Sequence, residues 1–362
     1  MNWEMERVLD EKSILQDRDP DGMLETLAGL PEQCEEALLL GDKAPLPSLR
    51  EPRQVVMGGL GGSAIGGDLV RVLVAREARV PVVVIRDYLL PGFVDGNTLV
   101  FLTSYSGNTE ETLSAYRDAG SKGAERFVLT TGGALAEYAQ RDGVPWIRVP
   151  LGLPPRSAVG YLSLPVLKVL SRLGIISFDR RDERELVETL REMRKQLGPW
   201  NPCQKNPAKA LALSLYGKIP VVYGTAQVTE AAAVRWKGQI NENAKALAYY
   251  NILPEMNHNE IVGFEAPGEL LGSLAVIFLR DKADHPRVQA RIEITKSLLK
   301  GKVAEIREYW GEGESLLSRL FSLICLGDYT SVYLALLYGI NPKPVAVIDR
   351  LKRELKGMAG DA

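Results

Sequence analysis

The sequence predicts an α/β protein built on doubly wound parallel sheets, and three observations carry that prediction. Short apolar runs ("QVVMGGL", "VPVVVIRD", "TLVFLTS", "RFVLTTGG") alternate with helix-forming stretches from Gln54 onward, the spacing of strand–helix–strand units whose parallel strands are covered on both faces. Two of these strands run straight into glycine- or hydroxyl-rich loops, "MGGLGGSAIGGDLV" and "TSYSGNTEET". A similar order of strands and helices returns after residue 200, so the chain reads as two such units with weak identity between them.

The elements follow in order. A charged, amphipathic leading segment, "MNWEMERVLDEKS", precedes strand "QVVMGGL", a glycine loop, helix "GGDLVRVLVARE", strand "VPVVVIRD", strand "TLVFLTS", helix "EETLSAYRDAG", and strands "RFVLTTGG" and "VPWIRVP". "PLGLPPRSAVGYL" opens a helical stretch to about Leu173. The charged run "DRRDERELVETLREMRKQLGPW" then reads as a solvated linking helix that stops at Gly198 and Pro199. Strand "KIPVVYGT", helix "TEAAAVRWKGQINENAKALAY", strand "LGSLAVIFLRD", helix "PRVQARIEITKSLLKG", strand "KVAEIREYW" and a long C-terminal helix complete the second unit. The predicted division is 1–175, a link at 176–199, and 200–362.

Composition narrows the function. The 362 residues are 46% hydrophobic and 25% charged, with 44 basic against 46 acidic side chains; no global basic field favours nucleic acid or an anionic membrane, so any anion is caught locally. The long apolar stretch near the C-terminus is interrupted by Arg319 and Asp328, which argues against a membrane span. The N-terminus lacks a basic start followed by an apolar run, so a cytoplasmic protein is expected. Cys34, Cys203 and Cys325 are scattered and fit neither a disulfide framework nor a zinc knuckle. His258 and His285 are the two histidines, too few for a histidine-rich metal site; a carboxylate-only magnesium site stays open, but neither metal nor cofactor is expected.

In an open parallel sheet, ligands bind beyond the carboxyl ends of the strands. "TSYSGNTEET" lies at such a junction, where a helix N-terminus can hold a phosphate through unpaired N–H groups and its dipole. Ser104, Ser106 and Thr109 add hydroxyls, and Gly107 lets the backbone fold closely around an anion. The plainer alternative makes Asn108 or Thr109 only an N-cap. "GGLGGSAIGG" places Ser63 behind Gly61 and Gly62, so that backbone can approach a ligand there too. That loop also resembles a dinucleotide fingerprint with imperfect spacing, followed by Asp87 at a suitable distance, but this leaves the hydroxyl-rich loop unexplained. Further on, Glu242 lies between Asn241 and Asn243 with Lys237 and Lys245 a turn away; by themselves these residues suggest a solvated face with a Glu242–Lys245 ion pair.

"GGSAIGGD" followed by "SYSGNTEET" resembles the first half of a sugar isomerase domain, a phosphosugar-binding module with a flavodoxin-like fold. "PPRSAVGYL", "QINENAKALAYYN", "PEMNHNEIVGF" and "IDRLKREL" together resemble the bifunctional phosphoglucose/phosphomannose isomerases of bacteria and archaea, from about Val55 to Leu355. The resemblance implies two sugar isomerase domains and metal-independent interconversion of glucose 6-phosphate and mannose 6-phosphate with fructose 6-phosphate. It places the phosphate on Ser104, Ser106 and Thr109 with Ser63 nearby, and the sugar against the backbone of Gly61 and Gly62. Glu242 becomes the base that moves a proton between C2 and C1 through a cis-enediolate, and Arg156, behind two prolines, supports the enediolate. His258 opens the sugar ring from a neighbouring subunit, which requires a homodimer. Lys352 is implied near the ring, although from the residues alone it is a surface lysine on a charged terminal helix. Two other readings stay in play: a non-catalytic phosphosugar-binding regulator, and a nucleotide-linked oxidoreductase.

Overall fold

The computed structural model describes residues 2–49 and 51–358. Four helices lead, α1 (Asn2–Asp10), α2 (Lys12–Arg18), α3 (Met23–Ala28) and α4 (Leu30–Lys43). The first sheet is then laid down by β1 (Gln54–Gly58), α5 (Gly62–Val74), β2 (Val82–Ile85), β3 (Thr98–Thr103), α6 (Glu110–Ser121), β4 (Glu125–Thr130), α7 (Gly133–Asp142) and β5 (Trp146–Arg148). Its strand order is β2-β1-β3-β4-β5, parallel throughout. The order reverses between β1 and β3, and the loops leaving those two strands therefore face a common crevice.

Three helices cross to the second sheet: α8 (Val159–Arg172), α9 (Arg180–Leu197) and α10 (Pro207–Leu215). There follow β6 (Ile219–Thr225), α11 (Glu230–Gln239), β7 (Tyr249–Leu253), α12 (Gly268–Leu271), β8 (Leu274–Arg280), α13 (Pro286–Leu299), β9 (Glu305–Trp310), α14 (Leu316–Leu337) and α15 (Ala346–Met358). This sheet is also parallel, in the order β7-β6-β8-β9, which repeats the arrangement of the first four strands of the other sheet.

Two elements depart from the sequence reading. A helix, α7, separates "RFVLTTGG" from "VPWIRVP", as a parallel neighbour requires, since adjacent parallel strands cannot be joined by a tight turn. The helix expected to reach Tyr249 stops at Ala244, and "YYNIL" becomes edge strand β7. The run expected to be a solvated link does form a helix, N-capped by Asp179 and ended at Gly198. However, α9 buries Leu186, Val187, Leu190, Met193 and Leu197 against α4 and α14, so only its outer face is solvated.

One hydrophobic cluster runs from the leading helices through α8 and α9 to α14 and the inner faces of both sheets. Two smaller clusters cover the outer faces. Every residue of α14 from Leu317 to Leu337 is buried. Among the described residues it is the one helix long and apolar enough to cross a membrane, and it is a core helix. Its charges are matched inside the protein: Arg319 meets Asp281 at 2.7 Å, and Asp328 meets Arg235 at 2.6 Å, as buried ions require.

Candidate active site

The β3–α6 junction is a tight hydroxyl-lined turn. Gly107 has φ +71°, and a Cβ there would lie 1.8 Å from the carbonyl oxygen of Gly132, so the turn admits only glycine. Ser104 is buried; its hydroxyl shares a 2.9 Å hydrogen bond with that of Thr109 and accepts one from the Gly107 N–H at 3.1 Å. Thr109 occupies the N-cap position of α6, but its side chain bonds to Ser104 and not to the helix N–H groups. Ser106 is exposed and accepts from the Asn108 N–H at 3.3 Å. The Ser63 hydroxyl, at the start of α5, accepts from the Tyr105 N–H at 3.3 Å and so joins the two loops predicted to act together.

The glycine loop does a second job. A Cβ on Gly62 would sit 2.7 Å from the Pro155 carbonyl oxygen, so its absence lets the short helical turn Pro155–Ser157 approach α5. That turn carries Arg156, which is 4% exposed. Its Nε donates to Asn243 Oδ1 at 2.6 Å, and its Nη2 donates to the carbonyls of Pro342 at 2.9 Å and Lys343 at 2.8 Å. Burial lowers its pKa, yet a guanidinium stays charged. Nη1 points at Glu242 Oε2, 3.7 Å away.

Glu242 is held out by a distortion. After Gln239 the helix widens into a π-helical turn, Ile240–Ala244, of the kind that recurs at functional sites. Asn243 pins this turn by donating to Ser331 Oγ of α14 at 2.8 Å while accepting from Arg156. Lys245 ends it in a left-handed conformation, φ 53°. The ion pair that the residues alone suggested between Lys245 and the Glu242 carboxylate does not form: the ammonium donates to the backbone oxygens of Glu242, Asn243, Asn341 and Pro342. Desolvation and the nearby Arg156 push its pKa down to about 8, and the Glu242 charge pulls the other way.

Of these parts, Gly61, Gly62, Arg156 and Glu242 line one cleft of about 340 Å³ together with Arg86 and Lys237, whereas Ser63, Ser104, Ser106 and Thr109 are not among its lining residues. His258 is exposed in the turn after β7 and does not line this cleft; Lys352 is exposed on α15 and does not line it either. Asp87 does not line the cleft and accepts from the Tyr88 N–H, whereas its neighbour Arg86, paired with Asp68, does line it. Sequence reasoning missed Arg86, although a side chain one residue past the end of a strand in a parallel sheet is a candidate by position. The matching junction of the second sheet is already filled. Buried Asp284 accepts from Thr225 Oγ1 at 2.6 Å and from the Asp281 N–H at 3.1 Å, so a carboxylate stands where the first sheet has the Ser104–Thr109 hydroxyl pair.

Comparisons with known proteins converge on the same reading. Residues 204–355 match the family described as bacterial phospho-glucose isomerase C-terminal SIS domain. A bifunctional phosphoglucose/phosphomannose isomerase of Caldicellulosiruptor bescii is 48% identical over 92% of this chain and 98% of its own length. One from Aquifex aeolicus is 42% identical over 83% of this chain and 90% of its own. The crystal structure of a glucose-6-phosphate isomerase like protein from Thermus thermophilus shares the fold, with a TM-score of 0.64 at 21% identity over 94% of this chain and 99% of that one. At the identity and coverage of the first two relatives, the chain belongs to the family of bifunctional phosphoglucose/phosphomannose isomerases.

Proposed function

We propose that the protein interconverts glucose 6-phosphate and mannose 6-phosphate with fructose 6-phosphate, without a metal, through a cis-enediolate. The observation that carries this reading is a carboxylate facing a fixed guanidinium inside a cleft walled by glycine backbone: Glu242 and Arg156, 3.7 Å apart, beside Gly61 and Gly62. An aldose–ketose isomerase needs a base to move a proton between C2 and C1 and a preorganised cation for the oxygen that becomes negative. Arg156 is preorganised because Asn243 and two carbonyls fix its plane before substrate arrives. The two aldoses differ only at C2, and the enediolate is the same from either, so one base serves both when the chain can rotate about C2–C3.

The phosphate is assigned to the Ser104–Thr109 turn and the start of α6, with Ser63 adjoining, and the sugar to the backbone of Gly61 and Gly62. The hydroxyl pair Ser104–Thr109 and the glycine-only turn support this. We assign residues 1–175 and 200–362 to two sugar isomerase domains joined by 176–199, in keeping with the repeated strand order. His258 opens the ring from the partner subunit of a cytoplasmic homodimer; its exposure outside its own cleft is what that assignment requires. Lys352 joins the ring-opening group on the same terms, carried by α15.

The test is turnover of glucose 6-phosphate and of mannose 6-phosphate to fructose 6-phosphate by the purified protein in EDTA. Both should turn over. Glu242→Gln should then lower kcat by about 10²–10⁴, the usual contribution of general base catalysis, and abolish C2 proton exchange in D2O while an open-chain hexitol 6-phosphate still binds. Binding of that hexitol phosphate with turnover of neither sugar would favour the regulator, and an absorbance change with nicotinamide cofactor the oxidoreductase.

A further inference from the structure

We propose that Lys237 is a second catalytic cation, whose ammonium takes the enediolate oxygen that Arg156 cannot reach. This rests on the isomerase reading and adds a residue to it.

A count of donors supplies the reason. An enediolate spreads its charge over two oxygens, on C1 and C2. Of the five N–H groups of Arg156, Nε is spent on Asn243 and both of Nη2 on Pro342 and Lys343. Only Nη1, beside Glu242, is left for substrate. Of the other cations of the cleft, Arg235 is held by Asp328 and by the Arg156 carbonyl, and the charge of Arg86 is offset by Asp68, which it meets through Nη2 alone. Lys237 lines the same cleft, is half-buried, and makes no hydrogen bond or ion pair among the described residues. A half-buried cation left without a protein partner is available to an anion that comes and goes.

The helix distortion explains how it reaches the base. Residues five apart on a regular α-helix point about 140° away from each other, which would put Lys237 and Glu242 on different faces. The wider π turn at Ile240–Ala244 reduces that angle, and both side chains reach the cleft. The proposed contribution of the lysine is electrostatic, and Glu242 remains the group that carries hydrogen between carbons.

The experiment compares wild type, Lys237→Met and Lys237→Arg, using kcat for both aldoses and the affinities of two inhibitors. One inhibitor is a five-carbon phosphorylated hydroxamate, whose planar anionic head copies the enediolate; the other is an open-chain hexitol 6-phosphate, which lacks that charge. Lys237→Met should lower kcat about 10²-fold, the size of one lost transition-state donor, and weaken the hydroxamate by a similar factor, while the hexitol phosphate loses less than about threefold. Lys237→Arg should recover at least about a tenth of the lost turnover, because charge is what matters. Unchanged kcat in Lys237→Met, or equal losses for both inhibitors, would overturn the proposal, the second outcome making the lysine a ground-state or phosphate contact. Bound hexitol phosphate shows that each variant is folded. A wild type that turns over neither aldose would sink the isomerase reading itself and the role of Lys237 with it, whereas an active wild type with an unaffected Lys237→Met sinks only the latter.

Discussion

Lys245 ties the turn that carries Glu242 to the strap Asn341–Pro342, and the same strap holds the Nη2 of Arg156. Its ammonium has a pKa of about 8, with Arg156 and Glu242 as the charges that face it. Below that pH the protonated amine holds the carbonyls; above it the charge is lost and the strap loosens behind Arg156. The kcat should therefore fall as pH rises through about 8, and Lys245→Arg, which stays charged, should move that alkaline limb out of range. A limb with the same midpoint in the variant would place its origin elsewhere. Among single residues, the sequence was informative where local residue order sets a turn. The hydroxyl turn and Ser63 behind its glycines stood out by composition, and a hydrogen bond joins the two loops in the fold, whereas Glu242 read by itself as a solvated face with a Lys245 ion pair that does not form. What Lys245 bonds to was not legible, because four carbonyls from two distant segments meet it only after folding.

Among the elements, α11 and α14 determine where Glu242 stands. Trp236 packs so closely on Gly327 that a Cβ there would lie 2.3 Å from the indole Nε1, which itself donates to the Leu323 carbonyl at 2.8 Å. Gly327→Ala should thus cost about 1–3 kcal/mol by overpacking. It should also lower kcat by tilting α11, with thermal unfolding and kinetics measured on the same sample; an unchanged Tm would mean that the contact relaxes freely. Periodicity located most elements, since "TLVFLTS" and "LAVIFLR" are apolar on both faces, as buried parallel strands must be. It failed at β7, where "YYNIL" follows helix formers with no glycine or proline to mark the break. The break lies instead in the π turn and the left-handed Lys245, which no local propensity announces. In α9 the charges hid five buried apolar residues at helical spacing.

For the whole molecule, the repeat in strand order does not extend to the loops that follow the strands. The first sheet has a hydroxyl turn, the second places Asp281 and Asp284 at the equivalent junction, and the core continues between them through α14. Among the described residues no histidine lines the cleft that holds Glu242, and His258 sits exposed beyond β7. If Glu242 of one subunit and His258 of its partner make one isomerase site, differently tagged, co-purified heterodimers will reveal it. Glu242→Gln and His258→Ala homodimers should each be inactive. Their heterodimer should regain about half of wild-type turnover, because two-fold symmetry brings one intact Glu242 to one intact His258. A heterodimer as inactive as its parents, from a wild type that isomerises both sugars, would show that the two residues do not meet across subunits.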